Sequence, residues 1–318
     1  MASPEIAVVI PTRGRETRLA FALEALAGQS LDRDRFEVIV VRDGDAQQPL
    51  AAAPEGLRSR FLTRPGASGP TAKRNLGWRA TSAPLVAFTD DDCRPAPGWL
   101  AALLAAANEA SDAEVLIQGR TEVDPDERHL LFGLARSQTI TAPSAWYETC
   151  NIAYPRRLLE RLGGFDESYS FGGEDTDLGL RALAAGARVR FAPEALVWHA
   201  VLSSSLYGTV RAVGRWQTLP LVLSRHPEQR RHLFLGLFRN RSHFGVLLAA
   251  LGLLGLRRRR RLALVAAAPY VAMNIDPGNL RPRGLARQAL HLPARALVDA
   301  AETASLIRNA IRHRTPIA

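Results

Sequence analysis

Of the 318 residues only two are cysteine, two are methionine and Lys73 is the sole lysine. Each shortage excludes something. Cys93 and Cys150 are too few for a disulfide framework and form no Cys-x-x-Cys pair, which points to a reducing compartment. The apolar runs Phe244–Leu256 and Leu262–Met273 fall short of the ~17–20 residues that a spanning helix needs. Glu5 interrupts the start and Ile6–Ile10 is too short for a signal core, so a cytoplasmic chain is expected. No internal repeat is found, and the bias from lysine to arginine is read as genome composition. What is present, 47% hydrophobic and 23% charged residues, suits a globular protein with a real core and excludes disorder.

The net charge of +10 is unevenly placed. Residues 1–199 hold 22 basic and 27 acidic residues, whereas residues 200–318 hold 19 arginines and 4 acids. Basic segments seek phosphate, in nucleic acid or on a membrane face. Few aromatics interleave the arginines and no nucleic-acid motif is found, so no nucleic-acid partner is expected. Arg257 to Arg261 stand between the two short apolar runs, a pattern that suits a segment lying on an anionic membrane surface. The boundary is expected between about Leu202 and Leu221, giving an α/β domain over 1–205 and a mainly helical, basic region over 206–318.

Periodicity organises the first part. Ile6–Ile10 reads as a strand stopped by Pro11, Thr17–Gly28 as a helix, and Phe36–Val41 as a strand closed by Asp43-Gly44. Thr71–Ala80 then reads as a helix, Pro84–Thr89 as a strand, Trp99–Ala110 as a helix and Val115–Gln118 as a strand. Strands alternating with helices predict a mostly parallel sheet covered on both faces, with ligands beyond the carboxyl ends of its strands. Thr12, Asp43 and Asp90 to Asp92 all follow strands and so belong at that edge.

Two acidic clusters carry the chemistry. Asp90-Asp91-Asp92 repel one another unless a cation or solvent intervenes. At a strand end they suit a hard divalent cation that shares oxygen ligands with phosphates. A solvated acidic turn is the plain alternative, weakened by the apolar run before it and the Pro95–Trp99 turn after it. In Gly172-Gly173-Glu174-Asp175-Thr176-Asp177 the acids open a helix, and capping accounts for one or two of them. The paired glycines exceed that need and let a backbone or substrate approach closely. A carboxylate there can serve as a general base toward an acceptor hydroxyl. His199 ends a strand, where a lone histidine is usually structural. Trp146 and Tyr147 suit either core packing or stacking on a flat ligand face.

Six segments in order resemble the large family-2 glycosyltransferases of GT-A fold. They are Ile6–Arg13, Val40–Gly44, Gly69–Gly77, Asp90–Asp92, Thr149–Arg156 with Gly163–Glu167, and Gly173–Leu178. The resemblance covers roughly the first 200 residues. It implies a Rossmann-like sheet binding a nucleoside-diphosphate sugar at Pro11, Thr12, Arg13, Asp43, Arg74, Asn75, Asp90 and Asp91. It also implies Mn²⁺ or Mg²⁺ on Asp92, with Asp90 and His199 near the metal. Asp175 is the implied base, with Glu174 orienting it or the acceptor, and Asn151, Gly173 and Trp146 lie on the acceptor side. The implied reaction inverts the anomeric carbon. Processive synthases of the family carry Gln-x-x-Arg-Trp; here Arg215 and Trp216 remain but Ala212 replaces the glutamine, which favours transfer of single sugars. The acceptor stays open among glycans, lipid-linked molecules and small molecules. A nucleotidyltransferase is the weaker rival, because Pro11–Arg15 is too short for a glycine-rich phosphate loop. A membrane- or partner-binding protein with a degenerate site is the other, opposed by the intact acids. Such a chain is expected at the inner face of the plasma membrane.

Overall fold

The computed structural model describes residues 3–44, 52–66, 69–109, 114–169, 172–202, 205–254, 260–275, 278 and 280–317, with backbone alone at 215–216, 253–254 and 260–264. The arginines at 257–259, and the side chains of Arg215, Trp216, Arg260 and Arg261, therefore lie outside the described residues. The chain divides into two compact units, one formed by residues 1–129 with 137–201 and the other by 130–136 with 202–318.

The first unit is an eight-stranded sheet in the order β3-β2-β1-β4-β7-β6-β8-β5. Its strands are β1 (Ile6–Thr12), β2 (Phe36–Asp43), β3 (Ser59–Arg64), β4 (Leu85–Phe88), β5 (Cys93–Pro95), β6 (Val115–Val123), β7 (Ile152–Pro155) and β8 (Arg188–His199). β1 pairs parallel with β2 and β4, β2 with β3, and β6 with β8, while β5 and β7 run antiparallel to their neighbours. The sheet is thus mixed but mostly parallel. Alternation along β1 divides its side chains between two cores. Ile6, Val8 and Ile10 pack with Leu19, Leu23 and Leu26 of α1 (Glu16–Ala27) and Leu100 and Leu103 of α3 (Trp99–Asn108). Val9 faces the other core with Trp78 of α2 (Pro70–Arg79), Leu158 and Leu159 of α4 (Arg156–Leu162) and Leu178 of α5 (Glu174–Ala184).

Pro11 sits in a central strand at no cost to the ladder on one side, because pairing with β4 ends at Val9↔Phe88. β6 runs past the expected end at Gln118. A bulge between Gly119 and Arg120 lets it follow β8 to His199, and a Cβ on Gly119 would lie 2.4 Å from the Ala195 carbonyl and the Asn151 amide.

The second unit is helical: α6 (Leu206–Arg211), α7 (Leu219–Arg225), α8 (Arg241–Leu254), α9 (Arg260–Met273) and α10 (Pro282–His313). α8 packs along α9, and α10 packs on α6, α7 and α8. The closing helix, expected near Leu297–Ile311, begins fifteen residues earlier at Pro282, which occupies the first turn, where its missing N–H costs nothing. It continues through Pro293. Among the described residues no helix is long and apolar enough to cross a membrane.

Candidate active site

The ends of β1, β2 and β4 and the first turns of α2 and α5 converge at one edge of the sheet. Thr12 Oγ1 donates to Asp91 Oδ2 at 2.6 Å, and both residues are buried. Burial, reinforced by Asp92 and Asp90 and opposed by Arg15 and Thr12, pushes the Asp91 carboxyl up to about 6. Arg15 bridges the turn, with one nitrogen 2.6 Å from Asp91 Oδ1 and another on Asp92 Oδ2. A guanidinium thus stands where three adjacent carboxylates call for positive charge.

Behind this turn, His199 Nδ1 lies 2.8 Å from the Ala200 carbonyl and 3.4 Å from Ser137 Oγ. If Nδ1 carries the proton, the Nε2 lone pair faces Asp92 Oδ1 at 3.8 Å. Ligand atoms of Asp92, Cys93 and His199 lie within 4.8 Å of one another. A carboxylate and an imidazole at that spacing fit a divalent cation. The cysteine suits it less, since burial pushes the Cys93 thiol well above its ordinary range. A cleft of about 250 Å³ opens beside Asp92, lined by Arg18, Phe21, Arg94, Asp124 and Glu127 among others.

Arg74 links the two acidic clusters. Almost fully buried, it donates to Asp90 Oδ1 at 2.8 Å and to Glu174 Oε1 at 2.9 Å. Gly172 and Gly173 enter α5 at φ 81° and 87°, a left-handed pair that explains the repeated glycine conformationally. Asp175 then follows in the first turn, its Oδ1 accepting from the Thr176 amide at 2.8 Å. Part of its surface stays accessible, yet the carboxyl is hemmed in. Burial, with the neighbouring Glu174 and Glu148, holds it well above the ordinary carboxylate range. The loop before β7 is fastened to this turn, with Thr176 Oγ1 donating to the Trp146 carbonyl at 2.9 Å. Tyr147 lies so close to α5 that a Cβ on Gly179 would meet its ring at 2.2 Å. That leaves Trp146 half-buried beside the helix start.

Three residues named from the sequence stand differently. Asn151 is buried, and its amide donates to the Arg120 and Ala195 carbonyls and accepts from Trp99 Nε1. It braces β6, β7 and α3 through these bonds. Asn75 likewise donates to the Phe165 carbonyl and Glu167 Oε1 and accepts from Trp78 Nε1 and the Phe165 amide. It pins the Gly163–Glu167 turn to α2 and is not open to a donor. Asp43 is wholly buried, held by Lys73 Nζ at 2.9 Å, while the exposed Arg13 lies 3.8 Å away.

Sequence reasoning missed Arg15, Lys73 and Glu148. Lys73 also donates to the Thr12 carbonyl, tying the ends of β1 and β2 together. Being the chain's only lysine was its one visible signal. Glu148 had none, since only the fold carries it to Asp175.

The class of fold comes first among the comparisons. The chain is similar over 99% of its length to the mannosyltransferase PcManGT from Pyrobaculum calidifontis, solved with GDP-Man and Mn²⁺. That match covers 88% of the other chain with a TM-score of 0.55 and 19% identity, and it shows a GT-A-like fold. Two family models match the sequence, "Glycosyl transferase family 2" over residues 7–163 and "Glycosyl transferase family group 2" over residues 111–275. The chain belongs to glycosyltransferase family 2, whose members fall in the EC 2.4 class. It is 32% identical over 207 residues to the pre-mycofactocin glycosyltransferase of Mycobacterium tuberculosis, matching 61% of this chain and 42% of that protein. It is 30% identical over 220 residues to the validoxylamine A glucosyltransferase of Streptomyces hygroscopicus, matching 58% and 49%. The chain thus spans about half the length of these curated relatives.

Proposed function

We propose that this chain is a divalent-metal-dependent, inverting glycosyltransferase that moves one sugar from a nucleoside-diphosphate sugar to an acceptor hydroxyl. The observation that carries the reading is Arg74, buried between Asp90 of one acidic cluster and Glu174 of the other. Through it the donor edge of the sheet and the first turn of α5 act as one site. Pro11, Thr12 and Arg13 border the nucleoside, and the buried Asp43 underlies them through Lys73. Asp92 and His199 would hold a divalent cation, Mn²⁺ or Mg²⁺, which when bound would supply a Lewis acid for the charge on the departing diphosphate. Asp175 takes the proton of the acceptor hydroxyl as its oxygen bonds to the anomeric carbon and the bond to the diphosphate breaks. Its raised affinity for protons suits a base. Glu174 steadies Arg74, and Trp146 offers the acceptor sugar a flat face.

Ala212, in place of the glutamine of processive synthases, supports single transfer. The test is a panel of nucleoside-diphosphate sugars and acceptors with Mn²⁺, read as free diphosphate, with the anomeric configuration of the product read by NMR. Inversion is expected. A product that retains the donor's configuration would sink the single-displacement mechanism.

The helical unit is also proposed to rest on an anionic membrane. Leu251, Val265, Leu290, Leu297 and Ile311 are each more than half exposed, on a region with 19 arginines and 4 acids. Each arginine near such a surface contributes about 1 kcal/mol. The full chain should float with anionic vesicles at low salt and stay behind with neutral ones or at high salt. A chain that ignores anionic vesicles at low salt has no such partner.

A further inference from the structure

We propose a second metal site in the helical unit, formed by His243 of α8 with Asp299 and Glu302 of α10, for a divalent cation of the kind that imidazole and carboxylate share. Asp299 and Glu302 stand three residues apart, so they share one face of α10. α8 packs against that helix and brings His243 to it. One ligand atom from each residue lies within 4.8 Å of the others, and His243 Nε2 is 3.2 Å from Glu302 Oε2. Two ligands bound about 2.0–2.1 Å from a tetrahedral cation stand roughly 3.3 Å apart, so this pair already has the required spacing. Facing helices in a bundle commonly build metal centres from such side chains.

A hydrogen-bonded network of the same residues is the competing account. His243 is wholly buried, which holds its ring in place beside both carboxylates. Two carboxylates converge on one imidazole, with Arg239 and Arg136 near Glu302, and a cation would be shared by all three ligands. The surroundings are those of a supported ligand set. Tyr270 Oη donates to Asp299 Oδ2 at 3.0 Å, and the Ser242 hydroxyl also bonds Asp299. With three protein ligands and a fourth position left to water, zinc is the natural probe. The site would fasten α8 to α10 across 59 residues of sequence.

Zinc titration of the full chain against a chromophoric chelator tests the site. Asp92→Asn with His199→Gln first removes the other cluster from the count. That background should still bind one equivalent and melt at a higher temperature with zinc than with EDTA. Adding His243→Gln should weaken binding by at least ~100-fold. Should that variant fail to fold, Asp299→Asn keeps the shape of the side chain and should show the same loss. Cobalt in place of zinc should give the intense visible absorption of a tetrahedral site. If the background chain binds less than about a tenth of an equivalent, or binds zinc unchanged after Asp299→Asn, the residues are a hydrogen-bonded network and the proposal is overturned. Neither result touches the glycosyl-transfer reading, which rests on the other unit.

Discussion

Asp175→Asn is expected to lower kcat by about 10²–10⁴-fold while leaving nucleotide-sugar affinity within a few-fold. Asparagine keeps the shape and can still accept from the Thr176 amide, but it offers no basic oxygen to a hydroxyl proton. The electrostatics predict a second effect of opposite sign. Burial, with Glu174 and Glu148, raises the carboxyl's pKa in the folded protein above its value in the unfolded chain. Below about pH 4 both states are protonated and the group is neutral in its effect. As pH rises beyond that, the unfolded chain releases its proton first, so the native state loses stability until the folded pKa is passed. Asparagine removes this cost. The variant should therefore melt above the parent at neutral pH, with the difference vanishing near pH 4. The acid limb of kcat/KM in the parent should lie above the ordinary carboxylate range for the same reason. A variant that keeps more than half of its kcat would make Asp175 a helix-capping residue and place the base elsewhere.

Asp92→Asn should uncouple nucleotide binding from metal. In the parent, calorimetry should find nucleoside diphosphate bound more tightly with Mn²⁺ than with EDTA; in the variant the two affinities should coincide, and turnover should fall on the order of 10²-fold or more. The substitution keeps the side chain's size beside His199 and Arg15 and removes the charge, so a loss reflects electrostatics rather than packing. Full activity of the parent in EDTA would remove the cation from the mechanism.

How much of this was legible beforehand depended on whether the signal was local. α1, α2, α3 and α5 were readable from apolar spacing and from punctuation such as Gly28 and the Gly172-Gly173 pair. β1, β2 and β4 were readable as unbroken apolar runs, because strands buried on both faces need them. β3 was not, since it is the edge strand and its Ser59, Arg60 and Thr63 mimic a loop. β7 is only four residues long, and its antiparallel course, which with that of β5 makes the sheet mixed, leaves no trace in composition. The roles of Asn75 and Asn151 failed to show for a related reason. A motif asparagine looks alike whether its amide meets a ligand or braces a neighbouring strand, and only its hydrogen-bond partners distinguish the two.

The sequence by itself determined the α/β class, the family resemblance and the presence of two acidic clusters at element ends. Those properties reside in runs of adjacent residues, where periodicity, turn glycines and charge repulsion act within a few positions. Tertiary structure alone decided that Arg74 joins Asp90 to Glu174, that Arg15 lies across Asp91 and Asp92, and that Glu148 and Glu174 raise Asp175. It alone brought His243 to Asp299 and Glu302. Electrostatic and hydrogen-bond energies depend on distance and burial in space, and residues a hundred positions apart in the chain acquire both only when the sheet and helices close around them.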